Sequence, residues 1–148
     1  MNRVVRGAFA GAAAGVAWKA LEPLLQREFG SPYSDAGIVA GFVARGGVRR
    51  QALEVAMQAV DGGLFGAAFA KLGGHGIRGG VAAGLAENAA FWPAVALIQR
   101  VHPDVRSGRW PRPFADPASI QVAFAGHALF GILLGALLDP PRIRNAST

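Results

Sequence analysis

The strongest hydrophobic pattern in the chain is Ala118 to Leu138, ASIQVAFAGHALFGILLGALL, which holds one ionisable side chain, His127, in 21 residues. At about 1.5 Å per residue this run reaches roughly 30 Å, the thickness of a bilayer's hydrocarbon core. It is apolar on every face and is closed by Asp139-Pro140-Pro141. A helix that buries one stripe in a soluble domain keeps a polar face, so this run predicts a membrane span. Three more runs predict spans at about 4–25, 52–72 and 78–99, giving an all-α, polytopic bundle of four transmembrane helices in one domain, 1–148. Glu22-Pro23 and Gly30-Ser31-Pro32 read as a bend and a loop after the first span. The apolar run AGIVAGFVA is too short to cross, so about 35–45 is expected to lie at the interface. Gly46-Gly47 and Arg49-Arg50 then mark a basic, water-facing point. Gly73-Gly74-His75-Gly76 is a short turn, which predicts that the second and third spans are antiparallel neighbours.

Glycine recurs every fourth residue inside these runs. The first span carries Gly7, Gly11 and Gly15; the second, Gly62 and Gly66; the third, Gly76, Gly80 and Gly84; the fourth, Gly131 and Gly135. Each glycine inside a helix in water is about 1 kcal/mol less favourable than alanine. In lipid the same spacing puts small residues on one face and lets helix backbones approach closely. The pattern therefore favours a membrane bundle over a soluble one.

Composition sharpens this picture. Hydrophobic residues make up 52% of the chain and charged residues 16%, against about 25% charged in an average soluble domain. The net charge of +6 comes from arginines lying between the apolar runs, at Arg3/Arg6, Arg45/Arg49/Arg50, Arg106/Arg109/Arg112 and Arg142/Arg144. That placement suits lipid headgroups rather than a nucleic-acid backbone. Their division between the two sides, under the four-span reading, does not set an orientation. Trp110, in the proline-rich loop from Val101 to Pro117, suits an interfacial anchor. With no cysteine, the chain has neither disulfides nor thiolate chemistry.

The candidate chemistry is a set of polar residues at membrane depth. Asp61, Glu87 with Asn88, and His127 fall near the middle of three different spans, and Lys19 and Glu22 lie at the end of the first. Such groups face a bundle interior and find partners, and they mark candidate ion or proton paths. A simpler reading has Glu87 and His127 joining helices by hydrogen bonds, with Lys19 snorkelling to the headgroups. His75 and His102 fall in loops and are expected to be solvated. No two histidines have metal-ligand spacing, no phosphate-binding glycine loop is present, and Ser31, Ser34, Ser107, Ser119 and Ser147 lack a nucleophile-elbow context. No metal, cofactor or catalytic residue is expected.

Four features resemble the YagU-like bacterial inner-membrane proteins. They are the Gly/Ala helix running into Lys19 and Glu22-Pro23, the Ala-Gly-rich third helix continuing to Phe91-Trp92-Pro93, the loop Pro111 to Asp116, and Gly126-His127 in the last helix. This chain departs from that pattern in a shorter region between its first two helices. It also has Glu87-Asn88 where the pattern has a histidine in the third helix. The resemblance implies a bacterial inner (cytoplasmic) membrane location and a link with acid tolerance, without a mechanism. Three functions are compatible with the sequence. The favoured one is an accessory subunit that packs in the bilayer against copies of itself or a larger membrane complex. The second conducts protons or ions through Asp61, Glu87 and His127, and the third is a soluble helical lipid- or ligand-binding module.

Overall fold

A computed structural model describes residues 1–139; Pro140, Pro141, Arg142, Arg144 and Ser147 lie outside the described residues. The architecture is all-helical, with no strand among the described residues. Four long helices form the body: α1 (Arg3–Phe29), α3 (Gly47–Lys71), α4 (Gly76–Ile98) and α6 (Pro117–Leu138). The short helices α2 (Asp35–Val43) and α5 (Pro103–Arg106), with a 3-10 turn at Pro113–Ala115, gather at one end. Local chemistry sets the boundaries. The side chains of Asn2, Ser34 and Asp116 cap α1, α2 and α6 by accepting from Val4, Gly37 and Ser119 backbone N–H groups. Gly30, in the left-handed conformation at φ 72°, ends α1.

Several sequence expectations change. Glu22-Pro23 does not bend the chain out of α1: the helix continues through Pro23 to Phe29. Of the four expected spans, α4 and α6 are long and apolar enough to cross a membrane. Helices α1 and α3 have the length, but alanine and glycine dominate them and Lys19, Glu22, Glu54 and Asp61 lower their hydropathy further. The helix over 35–43 buries Ala36, Ile38 and Ala40 against the bundle while Val39, Phe42 and Val43 stay exposed.

The glycine stripes are where the backbones meet. Gly7, Gly11 and Gly15 of α1 lie against Gly66, Gly62 and Gln58 of α3, in antiparallel register. A methyl group on Gly11 would overlap the Gly62 carbonyl, and one on Gly7 the Gly66 carbonyl. Gly80 and Gly84 of α4 face Gly131 and His127 of α6 in the same way, a methyl on Gly84 falling 2.6 Å from the His127 carbonyl oxygen. Gly135 rests on the Gly76 carbonyl, while Gly76 itself turns the chain at φ 65°. The third seam, between α1 and α6, is built differently: Trp18, Phe130 and Leu134 fill it, and the Arg6 guanidinium donates to the Leu138 carbonyl at 2.8 Å.

The helices therefore run side by side in the order α3, α1, α6, α4. Although α3 and α4 are joined by a four-residue turn, they meet only near it, where Phe69 lies beside Gly79, and share no extended seam, against the sequence expectation. Each has its glycine face committed to a different partner, so the two diverge from the turn.

The seams predict a sharp asymmetry among glycines. Gly11→Val and Gly80→Val should each lower stability by about 3 kcal/mol or prevent folding, because the added atoms meet backbone. Gly63→Ala should be tolerated, since its methyl would find only ordinary contacts at 3.4 and 3.6 Å. Thermal unfolding of the purified variants in detergent checks both.

Candidate functional site

The divergence of α3 and α4 opens a cavity of about 360 Å³ between them. Trp18 of α1 and His127 of α6 form part of its wall, and α2 closes one end with Asp35, Ile38 and Val39. Asp61, Glu87, Asn88 and His127, expected from the sequence as intramembrane polar residues, all line this one cavity. Lys19 and Glu22 do not; they belong to a second polar cluster on another face of α1.

His127 and Glu87 are the best-defined pair. The His127 imidazole is 6% exposed, its Nδ1 lies 2.8 Å from the Ala123 carbonyl oxygen, and its Nε2 lies 2.8 Å from Glu87 Oε2. A carbonyl oxygen can only accept, so Nδ1 carries a proton. The other nitrogen then either donates to the Glu87 carboxylate or accepts from its carboxylic acid. In both cases a proton lies between Nε2 and Oε2. Gly126 supports the pair: having no side chain, it lets the Trp18 indole lie against α6, edge-on to the His127 ring at 4.8 Å between centroids. Asp61 is exposed at the α3 edge of the cavity and has no hydrogen bond or ion pair among the described residues. The Tyr33 hydroxyl donates to Asp35 at 2.7 Å.

Sequence reasoning missed four members of this wall, Trp18, Tyr33, Asp35 and Gln58. Gln58 stands three residues before Asp61 and so shares its helix face, the one local signal that could have found it. Asp35 lies outside the four expected spans, so nothing in the sequence set it beside Asp61, Glu87 and His127. Buried amide nitrogens of Gln58 and Asn88, at 4% and 2% exposure, lack a partner among the described residues.

The second cluster is a chain of alternating charges. Lys19 pairs with Glu22 and, at 2.6 Å, with Glu54. Arg50 reaches Glu54 at 2.8 Å and Asp104 at 2.7 Å, and Arg109 donates to Asp104 through Nε at 2.8 Å. Three cations meet three anions. Lys19 is thus held inside rather than snorkelling outward, and Arg50, expected at a water-facing point, turns inward. His102 is also buried rather than solvated, stacked on Trp110 at 4.9 Å with its Nδ1 accepting from the Asp104 backbone N–H. Burial pushes its imidazole pKa down. His75 is exposed, as expected. Trp110 is half-buried against His102 and Tyr33.

Burial raises the Asp104 carboxyl, but hydrogen bonds and charge from Arg50 and Arg109 outweigh it and hold the group below the usual carboxylate range. A carboxyl lowered on folding stabilises above its unfolded pKa of about 3.9, and that contribution is lost as pH falls through the folded value. Thermal stability should therefore fall on the acid side below about pH 4 through this group. Asp104→Asn should cost about 3 kcal/mol at neutral pH by leaving the network's three cations facing two anions and should flatten the acid limb of the curve. Melting temperatures of both proteins between neutrality and strong acid test this.

Compared with protein-family models, with curated proteins and with solved structures, the chain shows no match.

Proposed function

We propose that this chain is a small multi-pass membrane protein that moves protons through the cavity between α3 and α4, with Glu87, His127 and Asp61 as the working groups. The convergence of these three side chains on one cavity carries the reading. The proton held between His127 and Glu87 can pass from one group to the other without either leaving its hydrogen bond, and Asp61 offers a further acceptor at the edge.

Support for the bilayer comes from where the apolar surface points. Only 17% of the most apolar stretch of α4 is buried, and 44% of that of α6. Phe9, Leu24, Leu64, Phe91 and Leu97 project outward from three of the four long helices. A soluble bundle would turn these faces in. Helices α1 and α3, at 27 and 25 residues, exceed the roughly 20 needed to cross. The inward pairing of Lys19, Glu22 and Glu54 removes most of the charge that weighed against their insertion. These features, together with the resemblance noted above, support a four-span bundle in a bacterial inner membrane.

The accessory-subunit reading predicts exposed glycine faces that pair with another chain. Those of α1, α3, α4 and α6 are occupied within this one, which is why the conducting reading now stands ahead of it. Proton flux into liposomes holding the purified protein tests the choice. Wild type should conduct, and Glu87→Gln and His127→Ala, checked for intact folding by thermal melting, should each lower flux at least tenfold. A tight wild-type membrane would overturn the reading and return attention to partners retained in mild detergent.

A further inference from the structure

The two polar clusters differ in charge balance. The Lys19–Arg109 network is internally matched, three cations to three anions. The cavity wall holds three carboxylates, Asp35, Asp61 and Glu87, yet no lysine or arginine, in a chain with 15 basic and 9 acidic residues. His127 is matched to Glu87, the Tyr33 hydroxyl bonded to Asp35 is neutral, and Asp61 has no partner among the described residues. The cavity is thus short of positive charge.

Three further observations narrow what could supply it. The acidic groups do not converge as a metal site would require, and no such cluster occurs among the described residues. Aromatic rings share the wall with them, Trp18, Tyr33, Phe91 and Trp92, and ring faces attract organic cations. The side-chain amides of Gln58 and Asn88 line the same wall, nine-tenths or more buried, each with a nitrogen lacking a partner. A donor left unsatisfied in such a place costs about 1–3 kcal/mol; water or an anion entering with the cation would recover it, since an ammonium ion itself accepts no hydrogen bond. The volume falls within the range of about 300–1,000 Å³ typical of small-molecule sites. Access runs between α3 and α4, where Asp61 and Phe91 are exposed.

We propose that this cavity binds an organic ammonium ion with an apolar or aromatic body, admitted between α3 and α4. The inference rests on the cavity being the working site, and not on proton conduction. The cation sits between Asp61 and Asp35, against the rings of Trp18 and Trp92, and its body fills the apolar part of the wall. An opening on the bilayer side suits ligands that partition into lipid.

Equilibrium binding of radiolabelled benzyltrimethylammonium to the full chain in phosphatidylglycerol nanodiscs tests this. Saturable binding is expected, insensitive to excess neopentylbenzene, its neutral isostere, and weakened at least tenfold by Asp61→Asn and by Asp35→Asn. Asp61 makes no bond that folding needs, so its variant reports on the ligand alone. Equal competition by the neutral compound, or unchanged affinity in both variants, would overturn the proposal. Repeating the titration with phosphatidylethanolamine in the discs separates sources: lost binding identifies a lipid headgroup as the resident ammonium, and retained binding a free amine. Cation binding without proton flux would sink the conducting reading alone, whereas flux without cation binding would sink this one alone.

Discussion

Backbone-to-backbone contact at the glycine stripes is the constraint on which the rest of the structure depends. Where Gly11 meets Gly62 and Gly80 meets Gly131, there is no room for a single additional carbon. Helices this close gain dispersion contacts along their whole length and bring Cα–H groups to facing carbonyls. Each such seam also uses up the small-residue face of both partners. With α3 given to α1 and α4 given to α6, the remaining seam between α1 and α6 is made by large side chains around Trp18 and Phe130. No complementary faces are left for α3 and α4, and the space between them becomes the cavity.

The polar residues divide according to that geometry. On one side of α1 the charges of Glu22, Lys19, Glu54, Arg50, Asp104 and Arg109 form an alternating chain that ties α1 and α3 to the loop before α6. Burial there is tolerable because each ion faces an opposite one. On the other side, the cavity keeps two carboxyl groups, Asp35 and Asp61, whose partners are neutral or absent. The first arrangement holds helices together. The second leaves interactions to be completed by something that comes and goes, which is the property expected of a site that handles protons or a cation.

Helix content, the approximate limits of the four long helices and the glycine faces could be read from the sequence, because periodicity and capping are local. The polar residues worth attention, Asp61, Glu87, Asn88 and His127, were legible too, since an ionisable group within an apolar run stands out without knowledge of its neighbours. The full extent of α1 was not legible. Pro23 removes only one donor, and Gln26, bonded to the Pro32 and Tyr33 carbonyls, supports the turn that follows.

Which glycine face meets which other face is a different kind of question. Four stripes of similar spacing allow several pairings, and a short turn between α3 and α4 pointed to the wrong one. The Arg50–Asp104 pair joins residues 54 positions apart, and Ser31 and Ser119, bonded at 2.8 Å, are 88 apart. Such contacts have no local signature, so the buried state of His102, the inward turn of Lys19 and Arg50, and the role of Trp18 became visible only in the folded chain. The sequence by itself determined the helices and their candidate polar groups. The tertiary structure decided that four of those groups share one cavity, because only packing specifies which surfaces are consumed and which are left facing each other.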